Sequence, residues 1–314
     1  HCHRELFHAQ WEILLDDEFL EAWRHGIVVR CCDGVERRFY PRIFTYSADY
    51  PEKVLLASIR NLGKCPCPRC TIPMSRVHNL GMTRDTNERE TLARIDDCVR
   101  QHKIKIARTH IYESGLGVHS DAVEGLLKDQ SLVPTLNAFS HKLGSLGFNL
   151  FCMLVVDLMH EFELGVWKAL FIHLIRILSA AKVGDVLVSE LDRRYRMVPT
   201  FGGGTIRKFD SNTSEMKRMA ARDFEDMLQC AIPVFDALLP DPHNKHVMTL
   251  LFTCAHWHAL AKLRMHTDET LVLLDTVTER LRRHLRHFQQ KTCAAFSTQE
   301  LKREAERRQR RDLK

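Results

Sequence analysis

Three cysteines and three prolines fall within eleven residues, GKCPCPRCTIP, at positions 63–73. Cys67 and Cys70 have the two-residue gap that lets both sulfurs reach one tetrahedral zinc ion, and Pro66 and Pro68 stiffen the turn around them. Two thiolates are half of such a site, so further Cys or His ligands must come from elsewhere in the chain. A redox CxxC competes with this reading. That motif usually opens a helix after a strand, whereas here a helical pattern precedes and Pro73 follows closely. A purely structural turn is the third reading.

Two further stretches carry ionisable groups at informative spacings. In ADYPEK, Asp49 sits where an extended run gives way to a helix. A carboxylate fixed there suits Mg²⁺ beside a phosphate, and equally suits the N-cap of the helix that follows. In VVDLMHEFELGVWK, Asp157 and His160 are three residues apart and share a helical face. His160 is a candidate third zinc ligand with Asp157 orienting it, against the plainer reading of a satisfied core histidine.

Farther along, HWHALAKLRMHTDET gathers His256, His258, His266, Lys262 and Arg264. His258 and His266 are two helical turns apart, too far for one metal unaided. The segment reads first as core helix, with Lys262 and Arg264 as phosphate contacts. HTDET marks a helix restart, with Thr267 or Asp268 as cap.

The elements that must position these groups are mostly helical. Apolar residues at Phe7, Trp11, Leu14, Leu15, Phe19 and Trp23 predict a helix over 3–25. Asp33-Gly34 predicts a two-residue hairpin turn between two β-rich runs, and RIFTYSAD predicts a third extended run. Pro51 starts a helix that Gly63 is expected to stop. Residues 74–118 read as short helices, and helices are expected over 121–128, 150–180, 186–196, 215–231, 246–287 and 299–312. TFGGGTIRKF lacks the spacing of a phosphate-cradling loop and reads as a flexible connector. The most apolar stretch, FNLFCMLVVDLMHEFELGVWKALFIHLIRIL, is broken by charged residues, which fits a buried core helix better than a bilayer span.

The chain of 314 residues is 45% hydrophobic, enough for one to three domains with their own cores. Eleven cysteines without a secretory signal point to a reducing compartment, nuclear or cytoplasmic, and not to a disulfide framework. The chain opens without methionine on a charged, helix-patterned segment, and a piece of a longer protein is expected. Of the net charge of +6, the excess lies in residues 276–314, with twelve Lys/Arg against five Asp/Glu. Arg282, Arg283, Arg307, Arg308, Arg310 and Arg311 there suit a phosphate backbone, or else simply solubilise a helical face.

Taken in order, FYPRIFTYSADYPEKVLLASIRNLGKCPCPRC, VVDLMHEFELGVWKALFIHLIRIL, WHALAKLRMHTDETLVLLD and TCAAFSTQELKREAERRQRR resemble transposase-derived proteins of mushroom-forming fungi. These are related to the Kyakuja–Dileera–Zisupton and CACTA-like DNA transposases. The resemblance implies an α+β, mostly helical chain with a partial RNase H-like core over 1–73, a large helical insertion over 74–275 and a basic helical segment over 276–314. It implies a DDE triad holding two Mg²⁺ ions for strand cleavage and joining of DNA.

Asp49 then matches the second catalytic aspartate. Cys67 and Cys70 match half of a structural zinc site, and Asp157 and His160 match the DxxH signature. The first aspartate and the glutamate of the triad are expected outside this stretch. The resemblance therefore implies a fragment or decayed copy that is inactive alone and retains zinc-binding and DNA-contacting parts. The alternative is a zinc-stabilised DNA-binding or protein-interaction module without catalysis. A core missing early strands leaves an open sheet edge, so self-association into a homo-oligomer is also expected.

Overall fold

The structure is a computed structural model that describes residues 2–217 and 219–312, with only the backbone of Arg307. The chain is α+β and mostly helical. It divides into two compact units, residues 1–157 and 158–314.

The first unit begins with α1 (Cys2–Leu14) and α2 (Asp17–His25). The single helix expected over 3–25 is split because Asp16 turns extended and caps α2, accepting from the Phe19 amide at 2.8 Å. Strands β1 (Ile27–Arg30) and β2 (Glu36–Phe39) pair antiparallel, Ile27 opposite Phe39. Their turn is longer than the two-residue type expected. The Gly34 amide donates to the Cys31 carbonyl, Cys31 donates back to Val35, and Gly34 takes φ +78°. That is the three-residue hairpin in which the last residue must enter the left-handed region, so glycine stands there.

Strand β3 (Tyr46–Ser47) pairs in parallel with β4 (Leu154–Val155), a separate two-stranded sheet. Between them lie α3 (Tyr50–Leu56), a 3₁₀ turn (Met74–Asn79), α4 (Thr83–Thr91), α5 (Cys98–Tyr112), α6 (Asp121–Leu127) and α7 (Ala138–Leu143). Helix α3 stops well before Gly63. Its last carbonyls are claimed by side chains: His8 lies 3.0 Å from the Leu55 oxygen, Asn137 Nδ2 donates to Leu56 at 2.6 Å, and an Arg100 guanidinium N–H donates to Ala57 at 3.0 Å. Three buried donors on three elements satisfy the acceptors that a helix end leaves open. Leu20, Trp23, Val54, Leu56, Ile104, Leu127, Phe139 and Leu154 belong to this unit's core.

The second unit opens with a π-helical segment (Leu158–Trp167) that runs into α8 (Lys168–Ala180). The continuous helix expected over 150–180 is therefore four things: a turn, strand β4, this wide helix and α8. A Cβ at Gly165 would stand 2.9 Å from the His160 carbonyl oxygen, so the wider winding needs glycine there. Helices α9 (Gly184–Met197), α10 (Ala221–Phe235), α11 (His243–Ala261), α12 (Asp268–His287) and α13 (Lys302–Asp312) follow. Thr267 restarts the chain at α12, accepting from the Thr270 amide at 3.3 Å.

The glycine-rich connector is ordered: Phe201 and Ile206 exchange both backbone hydrogen bonds across it. The core of the second unit surrounds Trp167, Phe171, Tyr195 and Phe224. The polar tips of its buried rings are satisfied, Trp167 donating to the Phe224 carbonyl at 2.7 Å and Tyr195 to Met227 at 3.1 Å. Among the described residues no helix is long and apolar enough to cross a membrane.

Candidate functional site

Two aspartates end the parallel strand pair of the first unit. Tyr46 pairs with Leu154 and Ser47 with Val155. Asp49 and Asp157 each follow the last paired residue by two, at equivalent points of the register. Side chains two apart along an extended chain share a face, so Asp49, still extended, falls on the Ser47 side. Ala48, on the opposite side, is buried in the core. Both aspartates are half-buried. Asp49 is still extended (φ −68°, ψ 170°), and its Oδ1 accepts from the Glu52 amide at 3.0 Å. It is thus the N-cap of α3, and the cap engages one of its two carboxylate oxygens. The neighbouring Glu52 carboxylate accepts from the Tyr46 hydroxyl at 2.7 Å, and burial, helped by that bond, pushes the phenol up to about 12.

The cysteine knuckle is knitted to the segment after α4. Cys70 bridges Ala93, Thr71 donates to the Leu92 carbonyl and Arg94 to the Arg69 carbonyl, both at 2.9 Å. The buried Arg94 side chain donates to three carbonyls: Nε to Cys67 at 2.8 Å, Nη1 to Gln130 at 2.8 Å and Nη2 to Cys65 at 2.9 Å. A planar fork of five N–H groups is suited to hold three backbone oxygens at once.

Inside this frame Cys67 and Cys70 come together. The Cys70 thiol bonds the Cys67 sulfur and pulls its pKa down to about 5, while the pKa of Cys70 itself is pushed upward. The Arg69 amide also donates to Cys67 Sγ at 3.4 Å, and Arg89 Nη1 lies 3.6 Å from Cys70 Sγ. Cys65 does not join them. Its thiol donates to the Asp129 carbonyl at 3.3 Å, and burial raises its pKa. The expected third ligand, His160, is an exposed residue of the π-helical segment in the second unit.

The basic residues have different surroundings. Lys262 is engaged by Glu225 at 2.5 Å. Arg264 and Arg283 are exposed. Arg282 pairs with Glu279 at 2.7 Å, Arg308 with Glu300 at 3.0 Å, Arg310 with Glu306 at 3.9 Å and Arg311 with Asp312 at 3.8 Å. The side chain of Arg307 lies outside the described residues. On α12, Arg280, Arg283 and His287 are all exposed at spacings of three and four, while Val277, Leu281 and, just beyond the helix, Phe288 are buried. Arg280 and His287 complete a basic stripe that the sequence analysis had not singled out as a site.

Sequence reasoning also did not join Glu163 to His258, which meet at 2.9 Å in the interior of the second unit. No local spacing links residues 95 positions apart. The one available signal was an ionisable group in each of two apolar helical stretches.

A fold of this class, helical with a short parallel strand pair ending in acids, sits with a family match. The family described as Plavaka transposase matches residues 1–175. That span is more than half of the chain and includes both aspartates and the knuckle, and the protein belongs to this transposase family. No curated protein and no solved structure matches it.

Proposed function

We propose that this chain contributes part of the metal-dependent phosphoryl-transfer centre of a DDE-type DNA transposase, and that the β3–β4 pair is the piece of an RNase H-like sheet that carries it. The parallel register is the observation behind this reading: it places Asp49 and Asp157 at equivalent strand ends within the family-matched region. Hard carboxylate oxygens on neighbouring strands suit Mg²⁺ or Mn²⁺. Asp157 then acts as a second acid of the centre instead of orienting His160. When bound, such ions polarise the scissile phosphate and lower the pKa of the attacking water. The residues of this chain hold and space them, and α3, capped by Asp49, fixes one carboxylate oxygen in place.

Two-metal chemistry needs carboxylates on both sides of the ion pair. Among the described residues neither aspartate belongs to a group of three close ligand atoms. We therefore read this polypeptide as inactive in DNA cleavage by itself. Cys67 and Cys70 serve as two ligands of a structural zinc, and the exposed cations of α12 and α13 contact DNA phosphates. The test is Mn²⁺ binding followed by electron paramagnetic resonance, together with strand cleavage of duplex DNA. The expected result is Mn²⁺ affinity that falls by about tenfold or more, ~1.4 kcal/mol, in both Asp49→Asn and Asp157→Asn, with no cleavage. Unchanged affinity in both variants, or efficient cleavage by wild type, would refute the reading.

A further inference from the structure

The interior of the second unit holds a second, unrelated cluster of ligand-type side chains. Glu163 lies in the π-helical segment, His258 in α11 and Glu225 in α10. Their side chains are 6%, 5% and 12% exposed. One ligand atom from each lies within 4.8 Å of the other two. Glu163 Oε1 is 2.9 Å from His258 Nε2. Ligands held about 2.0–2.2 Å from a common ion stand roughly 3–3.5 Å from one another, so small side-chain adjustments bring three such atoms onto one centre.

A cation already sits in this cluster. Lys262 Nζ lies 2.5 Å from Glu225 Oε1 and 3.7 Å from Glu163 Oε1. Two carboxylates removed from water need compensating positive charge, and here an ammonium supplies it. Lys262 is the exposed member, at 41%, on a flexible stem just past the end of α11. It can swing into solvent without disturbing the core. Glu163 and His258 are flanked by packed rings. Phe162, beside Glu163, stacks on Trp257 with centroids 4.5 Å apart and on the His258 ring at 5.5 Å. Trp257 in turn donates to Thr278 Oγ1 at 2.8 Å.

We propose that Glu163, Glu225 and His258 form a binding site for a divalent transition-metal ion of the zinc or manganese class, in which the Lys262 ammonium holds the place of the ion. One imidazole nitrogen and two carboxylate oxygens suit Zn²⁺ and Mn²⁺. Lys262 is the gate: binding expels its amine into water, and metal and ammonium exclude one another. The site lies wholly within the second unit and shares no residue with the strand-end aspartates or the thiol pair.

The exchange of Lys262 gives a local readout that metal bound elsewhere does not move. The wild-type chain is treated with an amine-reactive reagent at rising Mn²⁺ or Zn²⁺, and Lys262 modification is followed by peptide mass spectrometry. We expect Lys262 labelling to rise severalfold with metal while Lys245 and Lys291 stay constant, and the rise to vanish in Glu163→Gln. Because Glu163 is buried and that variant risks misfolding, Lys262→Gln provides the second arm. Removing the competing ammonium from a partly exposed position should tighten Mn²⁺ binding by tenfold or more at one site. Lys262 labelling indifferent to millimolar metal, or Lys262→Gln binding no more tightly than wild type, would overturn the proposal and leave a closed Glu–His–Lys ion network.

Discussion

Ser47 of β3 lies directly beside Val155 of β4 in parallel register, and each stands two residues ahead of an aspartate. Residues 108 positions apart are made neighbours by a pair of two-residue strands. The segment between them is anchored at α3: His8 from α1, with Asn137 and Arg100, holds its far end, while Asp49 holds its near end.

Asp49 has a structural task and a proposed ion-binding task, and two substitutions separate them. Asp49→Asn keeps a cap acceptor and removes the charge. Its stability should change by a few tenths of a kcal/mol at most, while Mn²⁺ affinity falls. Asp49→Ala loses both, at about 1 kcal/mol of stability. Urea melts of the two variants alongside Mn²⁺ titrations read the split. Equal stability losses would mean the cap oxygen is not what the asparagine preserves.

Arg94 is the staple of the knuckle. Arg94→Ala would strand the buried carbonyl of Cys65 and the part-buried carbonyls of Cys67 and Gln130, and a buried acceptor left unmade costs about 1–3 kcal/mol. With partial access to water, a total of roughly 3 kcal/mol or more is expected. Amide hydrogen exchange over residues 65–71 should accelerate before the rest of the first unit. Arg94→Lys should recover little, because an ammonium cannot reach three carbonyls in the geometry of a planar fork.

The metal reading of the knuckle is settled by composition. Elemental analysis of the purified chain should find zinc bound through Cys67 and Cys70, and Cys67→Ser with Cys70→Ser should lose it. The adjacent thiolate and thiol would otherwise react as a redox pair, with Cys67 alkylating readily at pH 6 and Cys70 lagging. Zinc protects both. Metal-free protein with a fast-alkylating Cys67 would replace the zinc reading by the redox one.

Local chemistry was legible in the sequence where a few adjacent residues decide the outcome. The Asp49 cap, the Thr267 restart, the hairpin around Gly34 and the meeting of Cys67 with Cys70 were all visible at short range. The split at Asp16 was not, because the apolar period of Phe7 to Trp23 runs through it and one cap hydrogen bond breaks it. The stretch 150–180 misled for a related reason. Leu154 is buried in the first unit's core and Phe171 in the second's, so one apolar run serves two cores. The acid at Asp157 appeared in sequence as one end of a helical i, i+3 pair with His160. Its place two residues past the paired end of β4 depends on a long-range strand pairing, which no local pattern reveals. Arg94 and the pairing of Glu163 with His258 had no local signature at all.

His8 makes the first unit sensitive to acid. It is buried against the Leu55 carbonyl and Ser58 Oγ, and its Nδ1 accepts from the Ala138 amide at 3.3 Å, which needs the neutral ring. Burial, the largest cause, holds its pKa below the ordinary value, with Arg100 adding to the effect. In the unfolded chain the ring titrates near ~6.5. Its contribution to stability is therefore complete above that pH and is lost as pH falls through the depressed folded value. The melting temperature of the first unit should drop between pH 7 and pH 5, and His8→Gln should flatten that dependence. An equally steep slope in the variant would assign the acid sensitivity to other groups.

DNA binding distinguishes exposed cations from engaged ones. Each phosphate contact contributes about −0.9 to the slope of log K against log salt on duplex DNA. Arg280→Ala and Arg283→Ala, on the outer stripe of α12, should each make the slope shallower by roughly one and weaken binding at low salt, without favouring any sequence. Lys262→Ala should leave the slope unchanged, because its ammonium is already committed to Glu225 and Glu163. Fluorescence anisotropy with a labelled duplex between 50 and 200 mM salt, on the order used to resolve such slopes, makes the comparison. A loss at Lys262 as large as that at Arg283 would mean that DNA phosphate outcompetes the two carboxylates for the ammonium, and that α11 and not α12 presents the binding face.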